Sequence, residues 1–157
     1  KLILVFCGTK ASTKQLSRDL SKAGIRVDEI HSDLEQKTRE EVMNRFRNRD
    51  VNVLVATDIL SRGIDVENID MVINYDVPHD AEDYIHRIGR TARAEASGVA
   101  ITLINPKDQH RFAAIERLIG RSVHKGALPM AMGPGPEYKG KSEKKGRPGR
   151  TGKGRGR

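Results

Sequence analysis

The residues with the clearest potential for chemistry are two arginines in the octet HRIGRTAR at 86–93. Arg90 and Arg93 are three positions apart, so on a helical turn their side chains point in the same direction. Two guanidinium groups directed at one point repel each other unless an anion lies between them. A phosphoryl group is such an anion, because its oxygens match the planar donors of arginine. The alternative is a solvated helix face on which the arginines only pair with acidic neighbours, namely Glu82, Asp83 or Glu95.

Three further polar segments follow predicted strands or open predicted helices. The decapeptide ATDILSRGID at 56–65 comes after a β-branched apolar run, and its Thr, Gly and Asp residues can face a ligand. The turn at 6–10 joins a strand to a helix, and a helix N-terminus can bind an anion. Gln36 and Arg39 are spaced to share one helix face, although a solvated face explains that spacing equally well.

These segments lie in a chain whose apolar patterns alternate between strand and helix. Apolar runs at 2–7, 27–31, 51–56, 71–74 and 99–104 predict strands. Helix starts are predicted at Ser12 or Thr13, at a capping box formed by Ser32 and Glu35, at Asp80 and at Asn105. The alternation predicts an open, doubly wound parallel α/β sheet with helices on both faces, whose working loops follow the carboxyl ends of the strands.

The charge is distributed unevenly along the 157 residues. All of the formal net charge of +8 lies in residues 125–157, where ten Lys or Arg face only Glu137 and Glu143. We therefore predict a folded domain at 1–125 and, at 126–157, a disordered Arg/Gly/Lys-rich tail with an anionic partner. The alternative is a solubilising linker. No apolar stretch has the length of a membrane span and no secretory pattern opens the chain, so we expect a soluble, cytoplasmic protein.

The segments together resemble the DEAD-box ATP-dependent RNA helicases, in their C-terminal RecA-like domain. The octet is similar to motif VI of that family, usually HRIGRTGR, and the decapeptide is similar to motif V. The turn with Phe6, Gly8, Thr9 and Lys10 resembles motif IV. The segment QKTR at 36–39 resembles the family's QxxR motif, and NYDVP at 74–78 resembles its NYDxP segment. The five motifs occur in order over about residues 1–120. The basic tail and the TAR ending resemble RhlE-type bacterial enzymes.

The resemblance implies a role for each matching residue. Arg90 and Arg93 would be arginine fingers for the γ-phosphate of ATP, and His86 and Arg87 would link motif VI to the ATP site of the partner domain. Gly63 and Asp65 would face the nucleotide, with Asp65 accepting from the ribose. Asp58 and Arg62 would pair to hold their loop. The residues expected to contact RNA, through its backbone and independently of sequence, are Gly8, Thr9, Lys10, Gln36, Arg39, Thr57 and Arg62.

The sequence departs from the family pattern at Ala92, where Gly is usual, and at Ser32 in the HSD segment. It also contains neither a GxxxxGK phosphate loop nor a DEAD tetrapeptide. The resemblance implies that ATP and Mg²⁺ are held mainly by an N-terminal RecA-like domain of the same protein, without which this domain would be inactive. Two other functions remain open: a non-enzymatic RNA-binding module, and a DNA helicase or translocase of the same superfamily.

Overall fold

In the computed structural model, the described residues are 1–58, 64, 66, 68–91 and 98–140. Within them, five parallel strands form one sheet in the order β2-β3-β1-β4-β5. The strands are β1 (Ile3–Cys7), β2 (Val27–Ile30), β3 (Val53–Thr57), β4 (Met71–Asn74) and β5 (Val99–Thr102). The helices are α1 (Lys10–Lys22), α2 (Gln36–Arg47), α3 (Ala81–Ile88), α4 (Gln109–Ile119) and a short 3₁₀ turn at Met130–Met132. The predicted doubly wound parallel α/β fold is confirmed.

The central strands are buried on both faces because helices cover both sides of the sheet. On one face, Val5 and Val55 pack with the α1 side chains Leu16 and Leu20. On the other face, the core of β1 and β3 packs with α2; its members include Leu4, Phe6, Met43, Phe46 and Leu54. A third cluster joins α3 and α4 through Tyr84, Phe112 and Ile115. The near-continuous apolar runs of β1 and β3 are what a strand enclosed on both faces requires.

The helix starts differ from the sequence prediction at three places. Helix α1 begins earlier, because Thr9 caps it by accepting from the Ser12 N–H (3.1 Å) in a capping box. The capping box predicted from Ser32 is wrong: Glu35 is the N-cap of α2 and makes no side-chain cap bond. Helix α4 begins four residues after Asn105, whose side chain instead accepts from the N–H groups of 107 and 108 in the preceding turn. The predicted cap at Asp80 is confirmed by its 2.8 Å bond from the Asp83 N–H.

The first part of the predicted tail is more ordered than its Pro- and Gly-rich composition indicated. Residues 126–140 contain the 3₁₀ turn, and Tyr138 is half-buried against the cluster of α3 and α4. The Tyr138 ring meets Phe112 of α4 edge-on, and its hydroxyl donates to Glu116 (3.0 Å), so this part of the segment packs on α4. Residues 141–157 lie outside the described part of the chain. Across the described ranges, no helix has the length and apolar character needed to cross a membrane.

Candidate functional site

The polar residues selected from the sequence gather at the edge of the sheet where the parallel strands end. In the strand register, Cys7 lies opposite Thr57, while Asn74 lies opposite both Phe6 and Thr102. The turns that follow β1, β3 and β4 therefore leave the sheet at the same level. Open α/β sheets bind their ligands at this edge.

Arg87, near the end of α3, is the centre of a hydrogen-bonding network behind this edge. Its side chain is only 1% exposed. Its guanidinium donates to Asn74 Oδ1 (3.0 Å), to the Asp76 carbonyl oxygen (3.2 Å) and to the Asp58 carboxylate. The guanidinium carbon also lies 5.2 Å from the centroid of the Phe6 ring. Arg87 thus holds the residues that follow β3 and β4 in place relative to α3.

The position of Arg87 differs from the role that the resemblance implied. We expected it to link this domain to the ATP site of a partner domain, but its guanidinium is enclosed within its own domain. Asp58 was expected to pair with Arg62, and the structure pairs it with Arg87. Burial lowers the pKa of Arg87 to about 10, which leaves the side chain charged at neutral pH. A buried cation of this kind needs its acceptors, and the strand ends supply them.

Two further bonds extend the network to β1 and β5. The Gly8 N–H donates to Asp76 Oδ2 (2.6 Å), and Asn74 Nδ2 donates to Thr102 Oγ1 (3.0 Å). A Cβ atom at Gly8 would lie 3.4 Å from the same Asp76 oxygen, which is ordinary van der Waals contact, so alanine would fit at this position. The ends of β1, β3, β4 and β5 are therefore connected through Arg87 and its acceptors.

Arg90, one turn beyond Arg87, is in a different environment. Its Nη1 donates to the Ile64 carbonyl oxygen (3.1 Å), and its Nε is buried without an acceptor among the described residues. It forms no ion pair with any carboxylate in the described part of the chain, including Glu82 and Asp83, which we had considered as alternatives. A half-buried guanidinium with several uncommitted donors can take an anionic ligand. His86 likewise has a buried Nδ1 with no partner in the described ranges.

Thr57, the last residue of β3, also presents an uncommitted polar group. The residue is 4% exposed, and its hydroxyl has no hydrogen-bonding partner among the residues that the structure describes. Leaving a buried hydroxyl unbonded costs roughly 1–3 kcal/mol. A phosphate oxygen or another acceptor at this edge would satisfy it, which agrees with the chemistry predicted for Thr57.

The turn after β1 has its polar groups already engaged. Thr9 caps α1, and Lys10 lies 2.7 Å from Asp33, which also pairs with Lys14 at 3.0 Å. Hydrogen bonds from Lys10 and Lys14 lower the pKa of Asp33 to about 2. These exposed pairs are screened by water and exchange readily. An anionic ligand at this turn would therefore compete with Asp33 for the lysines.

Gln36 and Arg39 line a cavity of about 450 Å³ between α2 and Ile64, and both are bonded within the domain. Gln36 donates to Glu40 (3.0 Å). Arg39 donates to the Leu34 carbonyl oxygen (2.9 Å) and, through Nη2, to that of Ser32 (3.1 Å). Arg39 thus anchors the loop before α2, which explains how that loop is held without the predicted Ser32 cap.

The other predicted site residues, Arg93, Gly63, Asp65 and Arg62, lie outside the described residues, as does Ala92. Sequence reasoning did not identify the hydrogen bond between Asn74 and Thr102. It also missed the bonds that Arg87 and Gly8 donate to Asp76. A usable signal exists in hindsight: Asn74 and Thr102 are both polar residues at the last position of an otherwise apolar strand. The pairing of Asn74 with Thr102 requires the register of β4 against β5, which composition does not provide.

Comparison with known proteins gives a consistent result. The family model described as the helicase conserved C-terminal domain matches residues 1–95. The DEAD-box ATP-dependent RNA helicase CshB of Staphylococcus aureus is 43% identical over 115 residues, which are 73% of this chain and 26% of CshB. The chain spans about a quarter of the length of the curated relatives it matches.

Two solved structures show the same fold. The E. coli DEAD-box protein SrmB, bound to the regulator of ribonuclease activity A, is 35% identical with a TM-score of 0.75, covering 81% of this chain and 75% of that chain. S. cerevisiae Dbp5, bound to RNA and ADP BeF3, is 34% identical with a TM-score of 0.72, covering 78% of this chain and 33% of that one. The RhlE-type assignment stays a prediction. The family match over more than half of the chain, together with these structures, establishes that the chain belongs to the DEAD-box helicases as their conserved C-terminal domain.

Proposed function

We propose that this chain is the second motor domain of an ATP-dependent RNA helicase, and that Arg90 acts at the phosphoryl group of ATP. The observation that carries this proposal is the contrast within one helix turn. The terminal nitrogens of Arg87 donate to three acceptors within the domain, whereas those of Arg90 donate to one, and the Nε of each is buried without an acceptor among the described residues. The names of the relatives support the same activity for the parent protein.

The uncommitted donors of Arg90 fit a nucleotide phosphate. ATP with Mg²⁺, held mainly by an N-terminal RecA-like domain, supplies the phosphoryl group whose charge must be stabilised during transfer. Arginine fingers of this kind accelerate phosphoryl transfer by about 10³- to 10⁵-fold. The bond from Arg90 to the Ile64 carbonyl oxygen orients the guanidinium before the domains close. Arg93, Gly63 and Asp65 are proposed as its companions at the nucleotide, in the roles that the family resemblance implies.

RNA is the proposed second ligand, bound at the same edge of the sheet. The buried Thr57 hydroxyl, the turn at Gly8 and Thr9, and Lys10 would contact the RNA backbone, with Gln36, Arg39 and Arg62 beside them. Phosphate and 2′-hydroxyl contacts make such binding independent of sequence. The relative Dbp5 has been solved with RNA and ADP BeF3, which supports the binding of both RNA and a nucleotide by the parent protein. Domain closure on ATP and RNA would bend one strand and open a short duplex.

The basic tail is proposed as an additional RNA-binding segment. Residues 141–157 contain eight Lys or Arg and a single acidic residue, Glu143. Binding through such a segment should weaken steeply with salt, because each neutralised phosphate releases counterions. Deletion from residue 141 should therefore lower RNA affinity and flatten its salt dependence. Unchanged affinity and slope would favour a solubilising linker.

The decisive measurement is RNA-stimulated ATP turnover by the parent protein, comparing wild type with Arg90→Ala. We expect kcat to fall by about 10²-fold or more while RNA binding persists, because the interaction is made only in the transition state. Arg26→Ala is the matched control, since Arg26 is an exposed arginine next to the amino end of β2, at the opposite edge of the sheet. Arg26→Ala should retain the wild-type turnover.

Either of the two remaining functions predicts a different outcome. A non-enzymatic RNA-binding module would hold RNA but show no RNA-stimulated turnover in the wild type. A DNA helicase or translocase would be stimulated by DNA as strongly as by RNA. Equal turnover in wild type and Arg90→Ala would remove Arg90 from the catalytic step.

A further inference from the structure

Two aspartates form equivalent hydrogen bonds at the two ends of the strand pair β1 and β4. Asp70, just before β4, accepts from the Leu2 N–H (2.6 Å), and Leu2 directly precedes β1. Asp76, two residues after β4, accepts from the Gly8 N–H at the same distance of 2.6 Å, and Gly8 directly follows β1. One bond therefore lies at each edge of the sheet, and that of Asp76 lies at the edge of the candidate site.

The alignment of β1 with β4 does not depend on either carboxylate. Parallel pairing already joins residues 3–6 of β1 with residues 71–74 of β4. The Tyr75 N–H continues this pairing by donating to the Phe6 carbonyl oxygen (2.9 Å). Each aspartate therefore fixes the segment beyond the strand ends rather than the strands themselves.

Asp76 is bonded to two elements of the candidate site. Its carboxylate holds Gly8, which opens the turn proposed to contact RNA and is followed by Thr9, the N-cap of α1. Its carbonyl oxygen accepts from Arg87 Nη1 (3.2 Å), near the end of α3. The Arg87 carbonyl oxygen in turn accepts from the Arg90 N–H (3.1 Å). Three hydrogen bonds in series therefore lead from the turn at Gly8 to Arg90.

This series can transmit a displacement in either direction. A shift of Gly8 on binding RNA would move the Asp76 side chain through their short bond, and the carbonyl acceptor of Arg87 belongs to the same residue. The next two residues, Val77 and Pro78, are buried, and proline has a fixed φ, so the segment cannot easily absorb the shift. Movement of Arg90 toward a nucleotide would act on the same bonds from the other end.

A second connection reaches the Arg87 guanidinium from β3. Thr57, whose hydroxyl is a proposed RNA contact, is followed by Asp58, and the Asp58 carboxylate accepts from Arg87. Loss of the Asp76 side-chain bond should therefore weaken communication between the two ligands without abolishing it.

We propose that Asp76 is a positioning residue that couples RNA at the Gly8 turn to the nucleotide at Arg90. The inference rests on the proposed function, because it assumes that the two ligands bind at these two places. Its new content is the coupling: the side-chain bond of Asp76 determines how much the binding of one ligand strengthens the binding of the other. Such a coupling is reciprocal, since each ligand must change the affinity for the other by the same factor.

The test measures the affinity of the full-length parent protein for an oligouridylate of about 10 nucleotides, without nucleotide and then with ADP and beryllium fluoride. The ratio of the two affinities is the coupling. Asp76→Ala removes the acceptor of the Gly8 N–H, and Asp76→Asn keeps an oxygen that can accept the same bond. Asp70→Ala is the matched control, because it removes the equivalent bond at the opposite edge of the sheet. Urea unfolding verifies that each variant is folded and reports its loss of stability.

We expect Asp76→Ala to lower the ratio by about fivefold or more, with RNA affinity in the absence of nucleotide within about threefold of wild type. Asp76→Asn and Asp70→Ala should keep the ratio within about twofold of wild type, although Asp70→Ala loses a comparable bond. An unchanged ratio in Asp76→Ala would overturn the proposal, as would an equal loss in either of the other two variants. A wild-type ratio of one would also overturn it, while the Arg90 turnover assay still decides the motor function separately.

Discussion

Replacement of Arg87 by methionine tests whether the ends of four strands depend on one guanidinium. Methionine fills much of the volume of the arginine side chain and packs on Phe6, but it cannot donate the hydrogen bonds that Asn74 and Asp58 accept from Arg87. Removing one partner of a buried ion pair costs about 3–5 kcal/mol, because the other charge is left without compensation. The Asp58 side chain is 24% exposed and can be partly rehydrated, so we expect a loss near the lower limit, about 3 kcal/mol.

Urea unfolding of this chain measures that loss, and the thermal midpoint should fall by roughly 10 °C for a domain of this size. Arg87→Lys keeps the charge but not the planar fork, so it should recover only part of the stability. Arg18→Met, at an exposed position on α1, is the control and should stay within about 0.5 kcal/mol of wild type. A loss below about 1 kcal/mol for Arg87→Met would show that water or other donors replace the guanidinium, and would refute the network as the tie between the strands.

Three other outcomes follow from the packing and the titration of single residues. Gly98→Ala should be strongly destabilising in urea unfolding, because its Cβ would fall on the backbone and side chain of Thr91, while Gly126→Ala, which has open space around it, should not. Phe46→Ala should cost about 3–5 kcal/mol, since its ring is fully buried between α2 and the sheet; a loss under about 1 kcal/mol would contradict that packing. Burial and the nearby Glu116 carboxylate raise the pKa of Tyr138 to about 12. The contribution of Tyr138 to the free energy of unfolding is therefore complete below its ordinary pKa near 10 and is lost as the pH rises from 10 through 12. An equal decline in stability over this pH range in Tyr138→Phe would contradict this assignment.

The fold was predictable from the sequence because each central strand is a short apolar run between helical patterns. Enclosure on both faces requires such runs, and β1 and β3 show them without interruption. The helix starts were less predictable, since several residues near each start could serve as the cap. Ser32 illustrates the difficulty: the sequence pattern is that of a capping box, but the structure uses its carbonyl oxygen as an acceptor for Arg39. The competing bond comes from a side chain that the pattern does not consider.

Residues 121–139 show what composition alone leaves out, because contacts with α4 are not visible in the composition of the segment. Prolines and glycines predict a segment that cannot offset its ordering entropy by itself. The compensating interactions come from Gln109 and Glu116, which belong to a helix that ends before the segment begins. Only one residue of the segment, Tyr138, carries a visible sign of docking, and a lone aromatic in a basic stretch is equally consistent with an RNA contact.

The family resemblance directs both Arg87 and Arg90 to the ATP site of a partner domain, whereas the structure places the two guanidinium groups in different environments. Arg87 lies on the buried side of α3, where its guanidinium pairs with the Asp58 carboxylate and donates a hydrogen bond to Asn74, so its charge is neutralised inside the domain. Arg90, three positions later, passes the end of the helix at Gly89 and finds only one backbone acceptor. The first residue makes the edge rigid, and the second keeps donors available at that edge. The hydrogen bonds of Arg87 hold the ends of the strands in place. The surroundings of Arg90 therefore cannot rearrange to neutralise its guanidinium, which stays preorganised with donors available for a ligand.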